Sequence, residues 1–150
     1  MRTTMKAVVF LLLIAGMLGI NAFGQNAKTQ ALPAGIADWN GEDSSKLLND
    51  PAIKLRLKKL LGNKSYASFM ASFETITPIS KNGKVLFASG CLIHACIHLE
   101  SAVAIDLSNN TVHAAIYEEE KATRFFNERR RTSPKLIIQW AKKLRSLRGK

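Results

Sequence analysis

Apolar positions along this chain follow two different periods. Ile53, Leu57, Leu60 and Leu61 fall at i, i+4, i+7 and i+8, which is one face of an α-helix. Arg56, Lys58 and Lys59 lie mostly off that face. Asp50-Pro51 supplies a start, with Asp as the capping acceptor and Pro at the first helical position, and Gly62 supplies a stop. A second helix is expected from about Ser65, with Tyr66, Phe69, Met70 and Phe73 spaced along one side. These aromatics read as core packing. The period then drops to two. Ile76–Ile79 and Val85–Ser89 read as strands flanking an Asn82-Gly83 hairpin turn. Ala102–Leu107 and Val112–Tyr117 read as two more strands, joined by the turn residues Ser108-Asn109-Asn110. Helical spacing returns after Ser133-Pro134, where Ile137, Trp140, Leu144 and Leu147 repeat at i, i+3, i+7 and i+10. Lys135, Lys142, Arg145 and Arg148 fall on its other faces. The pattern predicts one α+β domain over 45–150, preceded by a polar lead-in over 25–44 that holds Pro33, Gly35 and Gly41.

The first 24 residues have a different logic. Arg2 and Lys6 precede an uncharged run of 14 residues, Ala7 to Ile20, and Ala22-Phe23-Gly24 offers small residues for cleavage. This is the layout of a secretory signal peptide, 1–24. An uncleaved anchor is the alternative, but the run is short of the roughly 20 residues that span a bilayer. No cysteine follows the run, so a lipoprotein is not expected. The mature chain is placed in the periplasm or outside the cell.

That compartment bears on Cys91 and Cys96, the only two cysteines. In an oxidising environment they are expected to pair. The loop Cys91-Leu92-Ile93-His94-Ala95-Cys96 would then project from a connection between two strands, with His94 near its tip. A disulfide closing so few residues stabilises a fold by only about 2 kcal/mol on the chain-entropy model. Its expected use is to hold a loop shape. Two readings follow: a presented recognition finger, or a structural staple with His94 merely solvated.

Charge is segregated. Of a net +11, nearly all sits in residues 121–150, where eleven Lys/Arg face Glu128 alone. The C-terminal helix is therefore basic and amphipathic. Either it docks its apolar stripe on the sheet and leaves its charges solvated, or Arg129, Arg130, Arg131, Lys142, Lys143 and Arg145 contact an anionic envelope surface. Nucleic acid is not an expected partner.

Enzyme chemistry finds little support. CxxxxC is not the CxxC of thiol oxidoreductases. The spacing of Cys91, His94, Cys96 and His98 does not suit zinc. No nucleophile motif, phosphate loop or paired-carboxylate signature is present. Glu118-Glu119-Glu120 reads as a solvated charge run, and His98 and His113 as lone histidines. No catalysis, cofactor or metal is expected.

The order of these features resembles the Ivy family, bacterial inhibitors of vertebrate lysozyme. The resemblance rests on the Asp-Pro-Ala helix ending in Leu60-Leu61-Gly62 and the aromatic helix. It rests further on Ser89-Gly90-Cys91-x-x-His94-x-Cys96 and the strand Ala102-Val103-Ala104-Ile105-Asp106-Leu107. It covers roughly residues 47–120; Trp140, in a helix after a proline, resembles the family's C-terminal part more weakly. The resemblance implies an antiparallel sheet flanked by helices, a disulfide-closed protruding loop that enters the lysozyme cleft, and a loop histidine, here His94, on the catalytic carboxylates. It also implies that a homodimer is an available state. Family loops commonly place proline before the histidine and a polar or acidic residue after it; Ile93 and Ala95 stand there in this chain. A strongly basic mature chain also meets a basic lysozyme against long-range repulsion, unless the basic tail points away. A less basic muramidase is the alternative target.

Overall fold

A computed structural model describes residues 30–148; the expected signal peptide lies outside the described residues. The described residues fold as three α-helices, two short 3-10 turns and a six-stranded antiparallel sheet. Helix α1 spans Ser44–Asn49 and α2 spans Pro51–Ala71; strands β1 to β6 span Thr75–Ile76, Ser80–Asn82, Val85–Cys91, Leu99–Asp106, Thr111–Glu118 and Arg124–Asn127; helix α3 spans Lys135–Arg148. The sheet order is β1-β3-β4-β5-β6, with β2 also paired to β3.

Local chemistry explains the helix ends. The Asp50 carboxylate accepts from the amides of Ala52 and Ile53 at 2.9 and 3.0 Å, with Pro51 at the first position. Gly62 has φ 69° and ψ 166°, so α2 is two helical stretches meeting at a break. The expected stop is there, but the second stretch begins at once rather than near Ser65. Only glycine adopts that backbone pair readily. Helix α1, six residues long, is too short to show a period. Asp43 caps it by accepting from Ser45 N at 2.7 Å.

The strands differ from expectation in three places. Ile76–Ile79 is not one strand. Pro78 has no amide to donate to a ladder, and it separates β1 from β2. Both pair with β3, one at each end of it. The hairpin loop is Gly83-Lys84, with Asn82 opposite Val85, and positive φ at Gly83 alone. Strand β6, with Phe125 and Phe126 inside the basic segment, was not anticipated. Nor was the tie between the lead-in and the sheet: Gly41 N donates to Ile79 O at 2.7 Å, Ile79 N donates to Glu42 O at 2.8 Å, and Ile36 is buried.

The sheet has two covered faces. One side of β3, β4 and β5 presents Leu86, Ala88, Val103, Ile105, Val112, Ala114 and Ile116 to α1 and α2, whose Leu47, Ile53, Leu57 and Phe69 complete the main core. The other side presents Ala102, Ala104 and Ala115, with Ile137 and Trp140 of α3 packed over them. Three alanines in a row leave room for a helix to sit close. Ile137, Ala141 and Leu144 are 5% exposed or less, whereas Leu147 is 44% exposed. The apolar stripe of α3 thus docks on the sheet over most of its length.

Gly90 marks a close approach. A Cβ added there would lie 2.7 Å from Phe73 Cδ1 and 3.0 Å from Phe73 Cα. The Cα cannot rotate away, so the chain itself must shift. Gly90→Ala is expected to lower stability by about 1–3 kcal/mol, read as a fall in the urea midpoint; an unchanged midpoint would show that the segment after α2 moves freely against β3.

Candidate functional site

Cys91 is the last residue of β3 and sits between two neighbours, Thr75 of β1 and Glu100 of β4. The chain leaves the sheet there and returns at Leu99. Cys91 and Cys96 are disulfide-bonded, with Cα atoms 4.9 Å apart. Two consecutive hydrogen-bonded turns fill the gap: Ala95 N donates to Leu92 O at 2.9 Å, and His98 N donates to Ala95 O at 3.0 Å. Each turn has positive φ at its third residue, His94 at 60° and Ile97 at 78°. A type II turn demands positive φ at that position. Glycine or asparagine usually stands there, and for β-branched Ile97 the conformation is an outlier. Such residues cost about 1–3 kcal/mol each and persist where the surroundings hold them.

The surroundings do hold them. Ile93 N donates to Glu74 Oε2 at 3.0 Å, and Ile97 N donates to Glu100 Oε1 at 2.9 Å. Leu92 N donates to Leu99 O at 3.2 Å, and Glu119 N donates to His98 O at 2.8 Å. The His98 ring pairs with the Glu119 carboxylate.

The loop's side chains divide. Cys91 is buried, Leu92 and Ala95 are half-buried, and Ile93, His94, Cys96 and Ile97 are exposed. Leu92 thus folds inward while Ile93, 55% exposed, faces out beside His94. Among the described residues the His94 side chain has no hydrogen-bond partner.

Three expectations need correction. Glu118 and Glu119 are not merely solvated. Glu118 binds Lys121 and Arg124. The Lys121 hydrogen bond holds its carboxyl below the usual range, partly opposed by burial and aided by Arg124. His98 and His113 are not lone: His113 is buried, with Nε2 2.9 Å from Thr111 Oγ1 and Nδ1 2.8 Å from Asn127 Oδ1. Arg56 is not a surface residue: its side chain is 4% exposed and bound to Glu128. Helical period alone put it off the core face, and period is blind to a buried partner arriving from another element.

Charge is arranged by ends of the sheet. Glu74, Glu100, Glu118 and Glu119 flank the loop, with Lys121 and Arg124 bound to Glu118. Arg129–Arg131 lie by the opposite end of β4 and β5, where Arg129 Nη1 donates to Asn109 O at 3.2 Å. The length of β4 separates the two ends by roughly 25 Å. Lys142, Lys143 and Arg145 are exposed on α3. Among the described residues no group of three His, Cys, Asp or Glu side chains is placed to hold a metal, and no helix is long and apolar enough to cross a membrane.

The structure is an α+β scaffold with a disulfide-closed loop at one end of its antiparallel sheet. The family model described as inhibitor of vertebrate lysozyme (Ivy) matches residues 52–150. The chain belongs to the Ivy family. The match begins within α2 and runs to the end of the chain, so it takes in α3 and Trp140 beyond the segment that carried the resemblance. No curated protein and no solved structure matches the chain.

Sequence reasoning missed Glu74, Ile97 and Glu100. Ile97 and Glu100 stand three residues apart, a spacing that suggests a carboxylate reaching back to an amide. Glu74 precedes another strand and gives no such signal.

Proposed function

We propose that this protein inhibits a lysozyme, or a related muramidase, by placing the Cys91–Cys96 loop in the enzyme's sugar-binding cleft. The observation that carries the reading is the state of His94: exposed, unpartnered among the described residues, and fixed in a disulfide-closed turn. Enzymes of this class work with two carboxyls across the cleft. An imidazole N–H donates to such a carboxylate in a charge-assisted hydrogen bond. Occlusion needs no reaction by the inhibitor. A loop already held in shape loses little entropy on docking. Exposed Ile93 adds apolar contact where family loops carry proline. Ala95, half-buried and hydrogen-bonded through its backbone, contributes no polar contact to the enzyme.

The charge arrangement supports a basic target. At the loop end Glu74, Glu100, Glu118 and Glu119 outnumber the two cations, Lys121 and Arg124, that Glu118 binds. Arg129–Arg131 are further from it than the roughly 8 Å over which exposed charges act at physiological salt. Proposed with this reading are a periplasmic or secreted location and a single domain over 45–150, against whose core Leu32, Ile36 and Trp39 of the lead-in pack.

The test is a cell-wall clearing assay against vertebrate lysozymes that differ in charge, using the oxidised protein and the Cys91→Ser/Cys96→Ser variant. The oxidised protein is expected to inhibit at least one. The variant is expected to lose only about 2 kcal/mol of stability but most of its inhibition. Inhibition equal in the two forms would remove the closed loop from the mechanism.

A further inference from the structure

Two carboxylates grip the loop's backbone from opposite sides. Glu74 stands immediately before β1, whose Thr75 pairs with Cys91 from one side. Glu100 lies on β4 and is itself the partner of Cys91 on the other. Each reaches past the disulfide to a loop amide: Glu74 Oε2 to Ile93 N at 3.0 Å, and Glu100 Oε1 to Ile97 N at 2.9 Å. The amides bracket His94. Both point outward from their turns, so no backbone carbonyl of the loop satisfies them. The loop residues alone do not favour this shape. His94 and Ile97 both have positive φ, and neither is glycine. Ile93 fixes the backbone before His94 less firmly than proline would.

We infer that Glu74 and Glu100 are positioning residues for inhibition. Their carboxylates hold the Ile93 and Ile97 amides, and so pre-set the strained turn that presents His94. This rests on the proposed use of the loop. It assigns to two side chains outside the disulfide part of the constraint that proline supplies in other loops of the family. A carboxylate is suited to this, because a charged acceptor makes a stronger bond to an amide than a neutral one. Pre-organisation raises affinity by lowering the ordering cost of docking.

The experiment compares Glu74→Ala/Glu100→Ala with Glu74→Gln/Glu100→Gln in the full oxidised chain. Inhibition constants are measured against the lysozyme that the wild type inhibits best, and amide hydrogen exchange is followed at Ile93 and Ile97. The alanine pair is expected to weaken inhibition about tenfold or more, the size of one lost charged hydrogen bond. Exchange at the two amides should speed up while the thermal midpoint stays within a few degrees. The glutamine pair keeps an acceptor at each site and should recover inhibition to within a few-fold. Fast exchange with undiminished inhibition would overturn the inference and leave the loop mechanism standing. Unchanged exchange in the alanine pair would show that no clamp exists, whatever the inhibition. If the wild type inhibits no lysozyme, or His94→Ala inhibits as well as wild type, the reading beneath fails and takes this role with it. The exchange rates would then still report whether the carboxylates hold the loop.

Discussion

Replacing His94 with alanine is expected to weaken lysozyme inhibition by roughly 30- to 150-fold, or about 2–3 kcal/mol, the range of a charged hydrogen bond at the centre of an interface. The fold should hardly notice, because the side chain is exposed and, among the described residues, unpartnered. One complication is backbone strain. His94 sits at φ 60°, where histidine and asparagine are more common than alanine. His94→Asn separates the two effects, since asparagine tolerates the conformation but cannot carry the imidazole's charge or reach. If the imidazole is what binds, His94→Asn should lose nearly as much inhibition as His94→Ala. If backbone shape alone matters, His94→Asn should inhibit like wild type. An unchanged inhibition constant in both variants would leave Ile93 and the loop outline as the binding elements.

Much of the fold was legible because it rests on period. The apolar spacings at Ile53–Leu61 and Ile137–Leu144 put those helices against the sheet, and the β-branched runs at Ala102–Leu107 and Val112–Tyr117 became its two central strands. Punctuation was legible too: Asp50-Pro51 caps, and Gly62 breaks. The misreadings share a cause. Pro78 splits an apolar run that looks continuous, and α1 and β6 are too short for a period to emerge. At the site, the disulfide and the exposure of His94 matched what was expected from residue type and from the compartment the N-terminus suggests. What holds the turns did not. Glu74 is 19 residues from Ile93, and only the pairing of β1 with the end of β3 brings them together. Likewise the carboxylates of Glu118 and Glu119 read as a solvated run until the return of the loop placed His98 beside Glu119.

The largest stability effect is expected far from the loop, at Arg56. All five of its guanidinium hydrogens have acceptors. Nε bonds Glu128 Oε1 at 3.0 Å, Nη1 bonds Gln30 O at 3.1 Å and Asn110 Oδ1 at 2.8 Å, and Nη2 bonds Asn110 O at 2.9 Å and Glu128 Oε2. One buried cation thereby joins α2, the β4–β5 turn, the segment after β6 and the lead-in. Glu128 also accepts from Val112 N at 2.8 Å. Glu128→Ala leaves the guanidinium buried with only neutral acceptors, and should cost about 3–5 kcal/mol. Replacing Arg56 and Glu128 together by apolar residues of similar volume should cost much less, because no charge is stranded. The pair also sets an acid dependence. Burial pushes the Glu128 carboxyl up, but the Arg56 hydrogen bond, the Val112 amide and the charges of Arg56 and Arg129 outweigh it and hold it below the usual range. The folded state therefore binds this proton less readily than the unfolded chain does. The stabilisation is fully present above the ordinary glutamate value of about 4.3, and is lost as pH falls through the lower folded value. Urea titrations from pH 6 downward should show wild-type stability falling more steeply below about pH 4 than that of Glu128→Gln, which has no proton to gain. Parallel curves for the two would mean that the acid sensitivity comes from other carboxylates, and that the Arg56 network is held by Asn110 and Gln30 rather than by its ion pair.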